Sequence, residues 1–208
     1  MAKQGYRSYG IDFDTKALRL ARELCNEEKV NVEFVCGDVS DLDQIFPSID
    51  IAVCGDVFEH LHDDELGSFL VSIKKQLSKE GSLVFHTFPT QYDYLFYGKS
   101  FFRFCLIPFK FLSASRFNKV VFAYAALIDI VFLIIKGLTY KEYIKYHAHC
   151  NPLTKERLNE IFIRAGYNII YMQTSQLYPF HQKIQNQFNK HHIVHRNLYG
   201  VVKPSSSE

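Results

Sequence analysis

No CxxC pair occurs among the five cysteines, Cys25, Cys36, Cys54, Cys105 and Cys150. Their wide spacing and odd number argue against a disulfide framework and against a zinc site, and fit a reducing compartment. The opening MAKQGYRSYGID lacks the apolar core of a secretory signal, so a cytoplasmic location is expected. No HExxH pattern accompanies the histidines, and His181, His191, His192 and His195 read as surface or pocket residues. No apolar run reaches the ~20 residues that span a bilayer as a helix. The longest, Val120 to Ile135, is interrupted by Asp129 and bracketed by Lys119 and Lys136. It reads first as a buried cap helix and second as a segment lying on a membrane surface.

The remaining composition is that of one globular domain: 208 residues, 48% hydrophobic and 22% charged. Net charge is only +2, but its distribution is uneven. Acidic residues dominate the first 60 positions and basic ones positions 92–150, so one end suits a cationic ligand and the other an anionic surface.

Apolar periodicity alternates between strand and helix. Arg7 to Phe13 reads as a strand, followed by a helix capped by Asp14 or Thr15. Val32 to Cys36 and Ile49 to Cys54 read as buried strands. A helix capped by Asp63 or Asp64 carries Leu66, Phe69, Leu70, Ile73 and Leu77 on one face, and Gly81 marks the turn into a strand at Ser82 to Phe88. This rhythm predicts an α/β fold with a mainly parallel sheet covered on both faces. It stops between Tyr92 and Cys150, where half of the 32 aromatic residues fall, which predicts a helical insertion or lid. It resumes with a helix capped by Thr154 and stopped by Gly166, then strands at Tyr167 to Met172 and Leu198 to Lys203, an expected antiparallel pair. Residues 1–203 form the expected domain and 204–208 an expected disordered tail.

Three strand exits carry the chemistry. In open α/β sheets ligands bind beyond the carboxyl ends of strands, and an acid there can accept from both hydroxyls of a ribose. Asp12 holds that place, with Asp14 the helix cap beside it. In VEFVCGDVSDL a strand runs into Gly37-Asp38-Val39, where a carboxylate can accept from an exocyclic amine. In IDIAVCGDVFEHLHD a strand exits into a turn and Glu59-His60.

Together these segments resemble the class I S-adenosylmethionine-dependent methyltransferases of the small-molecule type, including the ubiquinone-biosynthesis O-methyltransferases. GSLVFHTFP resembles the family's fifth strand, and LNEIFIRAGYNIIYM its late helix, aromatic-glycine turn and strand. The resemblance implies a Rossmann-like sheet and methyl transfer to a small or hydrophobic acceptor. It implies S-adenosyl-L-methionine as cofactor, with Asp12 on the ribose, Phe13 beside the adenine, Asp38 and Val39 reading the base, and Cys54 and Gly55 lining the methionine side. The family's first strand and glycine-rich loop have no counterpart in these residues. Met1 falls where the helix after that loop would end, so an N-terminally partial domain of compromised activity is expected. The alternative is a degenerate, non-enzymatic member that binds a partner or a membrane.

Asp56, Glu59 and His60 share i, i+3, i+4 spacing and on a helix would share a face, giving a candidate divalent-cation site. Glu59 and His60 are also the candidate catalytic pair, His60 as general base toward a phenol or acid. His147 and His149 are candidates for the acceptor side. Nucleic acid is not an expected substrate, because basic residues are diluted by aliphatic ones and no NPPY-like motif occurs. A peripheral membrane contact through residues 97–136 is expected from their aromatic and basic content.

Overall fold

The computed structural model describes residues 1–38, 46, 48–88, 105–140, 142–143, 150–175, 191 and 197–205. Strand β1 (Tyr9–Asp12) pairs in parallel with β2 (Glu33–Cys36), Tyr9 opposite Glu33 and Asp12 opposite Cys36. Helix α1 (Thr15–Glu27) connects them, and the Asp14 carboxylate caps it by accepting from the Lys16 N–H at 2.8 Å.

The main sheet has four strands in the order β3-β4-β6-β5. Strands β3 (Ile49–Gly55) and β4 (Leu77–Thr87) are parallel, whereas β6 (Asn197–Pro204) runs antiparallel to both β4 and β5 (Tyr167–Ser175). Strands β3, β4 and β5 thus share one direction and only β6 runs against them, a mainly parallel arrangement with the expected antiparallel closing pair.

Helix α2 (Asp63–Gln76) presents Leu66, Phe69, Leu70 and Ile73 to the core, the i, i+3, i+4, i+7 stripe that its sequence spells out. Helix α4 (Lys155–Arg164) adds Leu158 and Phe162, and its cap is the Thr154 hydroxyl, which accepts from the Arg157 N–H at 3.1 Å. Both helices pack on the sheet face carrying Cys54, Leu83, Phe85, Met172, Leu198 and Val202. Phe58 lies at the centre, fully buried, stacked on Phe85 at 5.6 Å and edge-on to Phe162 at 6.1 Å. On the opposite face Val53, Val84, Tyr171, Tyr199 and Val201 line an open apolar groove of about 370 Å³. Among the described helices α2 and α4 cover only one face of this sheet, unlike the two-sided burial the sequence suggested.

Two glycines permit close backbone approach. Gly81 ends an irregular stretch at the start of β4, where three extra residues lie between the Ile49–Leu77 and Ile51–Ser82 pairs, and a Cβ there would meet the carbonyl oxygens of Ile49 and Ser78 at 2.9 Å. Continuous pairing with β3 starts at Ser82, where the sequence expects the strand to begin after the turn. At Gly200 a Cβ would collide with the Tyr171 carbonyl oxygen and sit 3.0 Å from Met172 Cα and the Phe85 ring. Gly200→Ala is expected to cost about 1–3 kcal/mol in urea unfolding. Gly55→Ala, whose Cβ meets nothing within 4 Å, is the neutral control.

The two sheets do not join. Neither β1 nor β3 pairs with a described strand on the side facing the other. Between them runs a groove of about 180 Å³ lined by Tyr9, Ile11, Phe46, Ile51, Val53 and Ile73, among others. Phe46 partly fills it, its ring 5.0 Å from Tyr9.

Within the expected insertion, helix α3 (Ala114–Lys136) is 23 residues long and longer than the apolar run alone suggested. Its polar first turns belong to the same helix. It is not a buried cap: only 22% of its most apolar window is buried. At the carboxyl end of the chain, Pro204 completes β6, and Ser205 donates through both N–H and Oγ to the Gly166 carbonyl, at 2.9 and 2.8 Å. The expected tail thus gives up at least its first two residues to ordered structure, and residues 206–208 lie outside the described ones.

Candidate functional site

The exits of β1 and β2 are adjacent because the strands are parallel and in register to their ends. The Gly37 N–H donates to the Asp12 carbonyl at 3.2 Å, which brings the backbone leading to Asp38 alongside Asp12. Asp12 Oδ1 accepts from the Asp14 N–H at 2.8 Å, an Asx turn that orients the carboxylate at the strand's end. Phe13 is 81% exposed, an unusual place for a phenylalanine and a suitable flank for a flat ring. Asp38 is exposed as well. Val39 lies outside the described residues.

The exits of β3 and β4 are likewise in register, Cys54 opposite Phe85 and Gly55 opposite His86. Cys54 is buried, and burial, with the nearby Glu59 and Asp56 charges, pushes its thiol up to about 12. It stays a neutral thiol, unsuited to act as a nucleophile. Gly55 is exposed, and the space where its side chain would lie is open.

Asp56 follows with φ 55°, a left-handed conformation that Asp tolerates. Its N–H donates to the His86 carbonyl at 2.9 Å, and its Oδ1 lies 2.7 Å from His86 Nδ1. The other ring nitrogen of His86 faces Asn197 Oδ1 at 3.1 Å, while Asn197 Nδ2 donates to the Ser175 carbonyl at 3.0 Å. One imidazole therefore ties the ends of β3, β4, β5 and β6 together. Sequence reading passed over His86 as part of a strand, although a histidine interrupting an apolar alternation near a strand exit was the available signal.

Glu59 does not project toward an acceptor. It is 1% exposed, and its Oε2 accepts from the Thr87 hydroxyl at 2.7 Å. Burial, the largest influence, raises its carboxyl above the ordinary value of 4.5 against the opposing Thr87 bond. Its carbonyl accepts from the Asn151 N–H at 2.9 Å. Asn151 Nδ2 in turn donates to the Leu61 carbonyl at 2.7 Å and to Asp63 Oδ1 at 3.1 Å. The Arg157 guanidinium on Asp63 Oδ2, at 2.6 Å, is the main reason the Asp63 carboxyl sits below its usual range. Glu59 is thus a positioning residue that fastens the β4 exit to the segment before α4. His60 is exposed at the end of a short 3-10 helix, Phe58–His60.

The expected cation cluster does not form. Asp56, Glu59 and His60 do not share a helix, because Asp56 precedes the 3-10 turn in a left-handed conformation. Asp56 turns to His86, Glu59 turns inward, and His60 faces solvent. Among the described residues no three His, Cys, Asp or Glu side chains converge as a metal site. His147, His149, His181, His192 and His195 lie outside the described residues. His191 is buried, stacked on Phe117 at 4.0 Å and within 3.1 Å of the Lys110 carbonyl.

Residues 1–85 match the family described as a methyltransferase domain. No curated protein matches the chain in sequence. Among solved structures, an S-adenosylmethionine-dependent methyltransferase from Clostridium acetobutylicum superposes with a TM-score of 0.56 at 10% identity, covering 97% of this chain and 76% of its own. Magnesium protoporphyrin IX methyltransferase from Synechocystis, with bound SAH, gives 0.55 at 12% identity over 98% of this chain and 66% of its own. PKMT2 from Rickettsia typhi in complex with AdoHcy gives 0.56 at 13% identity, over 97% of this chain but only 45% of its own length. The described chain thus shares its fold with these S-adenosylmethionine-dependent methyltransferases, in agreement with the match of its first 85 residues to a methyltransferase domain.

Proposed function

We propose that the protein transfers the methyl group of S-adenosylmethionine to a small or hydrophobic acceptor at the strand exits of β1 to β4. The cofactor supplies an electrophilic methyl carbon on a sulfonium: the acceptor's lone pair forms the new bond to that carbon and the sulfur–carbon bond breaks. The observation that carries this reading is the placing of two carboxylates, Asp12 and Asp38, at the adjacent exits of a parallel strand pair, with exposed Phe13 between them in the chain. Asp12 would accept from the ribose hydroxyls, Asp38 and Val39 would meet the adenine edge, and Phe13 would cover its face. Cys54 and the open space at Gly55 would line the methionine side. Exposed His60 would take a proton from a phenol or acid, with Glu59 and Thr87 holding the loop that carries it.

The exits of β1 and β2 would serve the nucleoside half of this site, and a strand followed by a glycine-rich turn in the gap between β1 and β3 would offer backbone N–H groups to the methionine half. The reading is tested in a chain with such a strand and turn placed ahead of Met1. Asp12→Asn, which keeps the Asx turn but weakens the acceptor, is expected to reduce calorimetric affinity for S-adenosylhomocysteine by about tenfold, the worth of one charge-assisted hydrogen bond. His60→Ala is expected to lower kcat while leaving that affinity unchanged. Full affinity in both Asp12→Asn and Asp38→Ala would sink the assignment. The open gap between β1 and β3 favours a second reading, a methyltransferase-like protein that binds a partner or membrane without turnover. Absence of cofactor binding even in the completed chain would select it.

A further inference from the structure

Methyl transfer does not account for helix α3. Its buried positions, Phe117, Val121, Ala125, Ile128 and Phe132, form one stripe at helical spacing and hold the helix against the protein. Phe117 stacks on His191 at 4.0 Å, and Phe132 meets Tyr140 and Tyr143 at 5.3 and 5.4 Å. The cluster of Ile128, Phe132 and Tyr140 is separate from the main core.

Every exposed position from Phe122 to Ile135 is apolar, among them Phe122, Leu127, Ile130, Leu133, Ile134 and Ile135. Ile134 is 79% and Ile135 69% exposed. At 100° per residue these positions sweep about 220° of the helix, where a water-facing helix would be polar. The only acid in the helix, Asp129, is turned to the protein and accepts from the Tyr140 N–H at 3.1 Å. The charges that remain exposed on α3 are basic: Arg116 and Lys119 in the first turns and Lys136 at the end. Phe111, 85% exposed, precedes the helix with the Lys110 ammonium 4.9 Å from its ring.

We propose that α3 docks the protein on an anionic phospholipid bilayer, lying in the interface with its apolar arc immersed and its basic ends at the headgroups. An apolar arc this broad exceeds the narrow stripe that a protein groove covers, and lipid surrounds such an arc from all sides. The uniform positive sign at the helix ends matches an anionic headgroup layer. The buried stripe, already held by the chain's own residues, ties α3 to the interface and not across it. This surface is distinct from the strand exits and does not depend on the methyl-transfer reading.

The test is flotation of the full chain with phosphatidylcholine vesicles, with and without phosphatidylserine. Binding is expected with phosphatidylserine at low salt and is expected to weaken as salt rises. The double variant Ile134→Glu/Ile135→Glu is expected to lower the partition coefficient by at least about tenfold with an unchanged melting temperature, since both residues are exposed. Arg116→Gln/Lys119→Gln is expected to lose about tenfold of the phosphatidylserine-dependent part. Four results would overturn the proposal. They are a folded protein that ignores the anionic vesicles, binding untouched by the glutamates, membrane retention through carbonate extraction, and lipid-free dimerisation abolished by the same glutamates.

Discussion

A chain carrying a β-strand and a glycine-rich turn ahead of Met1 is expected to bind S-adenosylmethionine at least about a hundredfold more tightly than residues 1–208, as read by titration calorimetry. The physical ground is the gap between β1 and β3. Neither pairs with a described strand on the side of the groove of about 180 Å³ between them, whose walls include Tyr9, Ile11, Ile51 and Val53. Both flanking strands already pair in parallel on their other sides, so an apolar parallel strand would join the two sheets into one. The turn following that strand would deliver backbone N–H groups to the methionine end of the cofactor, and two such bonds at ~1.4 kcal/mol each correspond to about a hundredfold. Melting temperature should rise as well, because β1 and β3 gain a ladder each and exposed Val53 becomes covered. Micromolar binding by residues 1–208 unaided would show that the site closes in another way and would refute the account.

Glu59→Ala is expected to cost about 2–4 kcal/mol of stability, because it leaves the buried Thr87 hydroxyl unsatisfied and opens a cavity beside Phe58. Glu59→Gln separates the charge from the hydrogen bond. The folded Glu59 carboxyl lies above 4.5, so the folded state holds a proton that the unfolded chain has released. The stability this contributes is complete below the unfolded value and is lost as pH rises through the folded one. Wild-type stability should therefore fall over that window, and Glu59→Gln should flatten the fall, gaining on the wild type as pH rises. If denaturation midpoints of Glu59→Gln and wild type shift in parallel with pH, the carboxyl is not titrating as described. If Glu59→Ala is as stable as wild type, the anchoring role fails.

Which parts of this were legible in the sequence follows from which interactions are local. Asp14 and Thr154 cap their helices through bonds to residues two or three positions on, and the α2 stripe repeats at 3.6 residues, so these elements could be read directly. The serial order of strand exits, Asp12, then Gly37-Asp38, then Gly55, pointed to the methyltransferase fold because chain order alone carries that pattern. Gly81 was legible as the turn before the strand at Ser82, whereas its close approach to the distant Ile49 carbonyl was not.

The long-range contacts were not readable. His86 acquires its role from Asp56 and from Asn197, 30 and 111 positions away, and nothing near it in sequence marks either partner. The spacing of Asp56, Glu59 and His60 suggested a shared helix face, yet a left-handed residue and a 3-10 turn sent the three side chains in different directions. The apolar run of α3 was plain in the sequence, but whether it faced a core or lay exposed depended on what the tertiary structure packed against it. Thus the sequence alone determined the fold class, the caps of α1 and α4 and the acids at the strand exits, all set by local bonding and periodicity, whereas α2 is capped by His62 with Glu65 and not by Asp63 or Asp64. The inward turn of Glu59 and the exposed face of α3 were decided only by tertiary structure, because each depends on which distant segments meet.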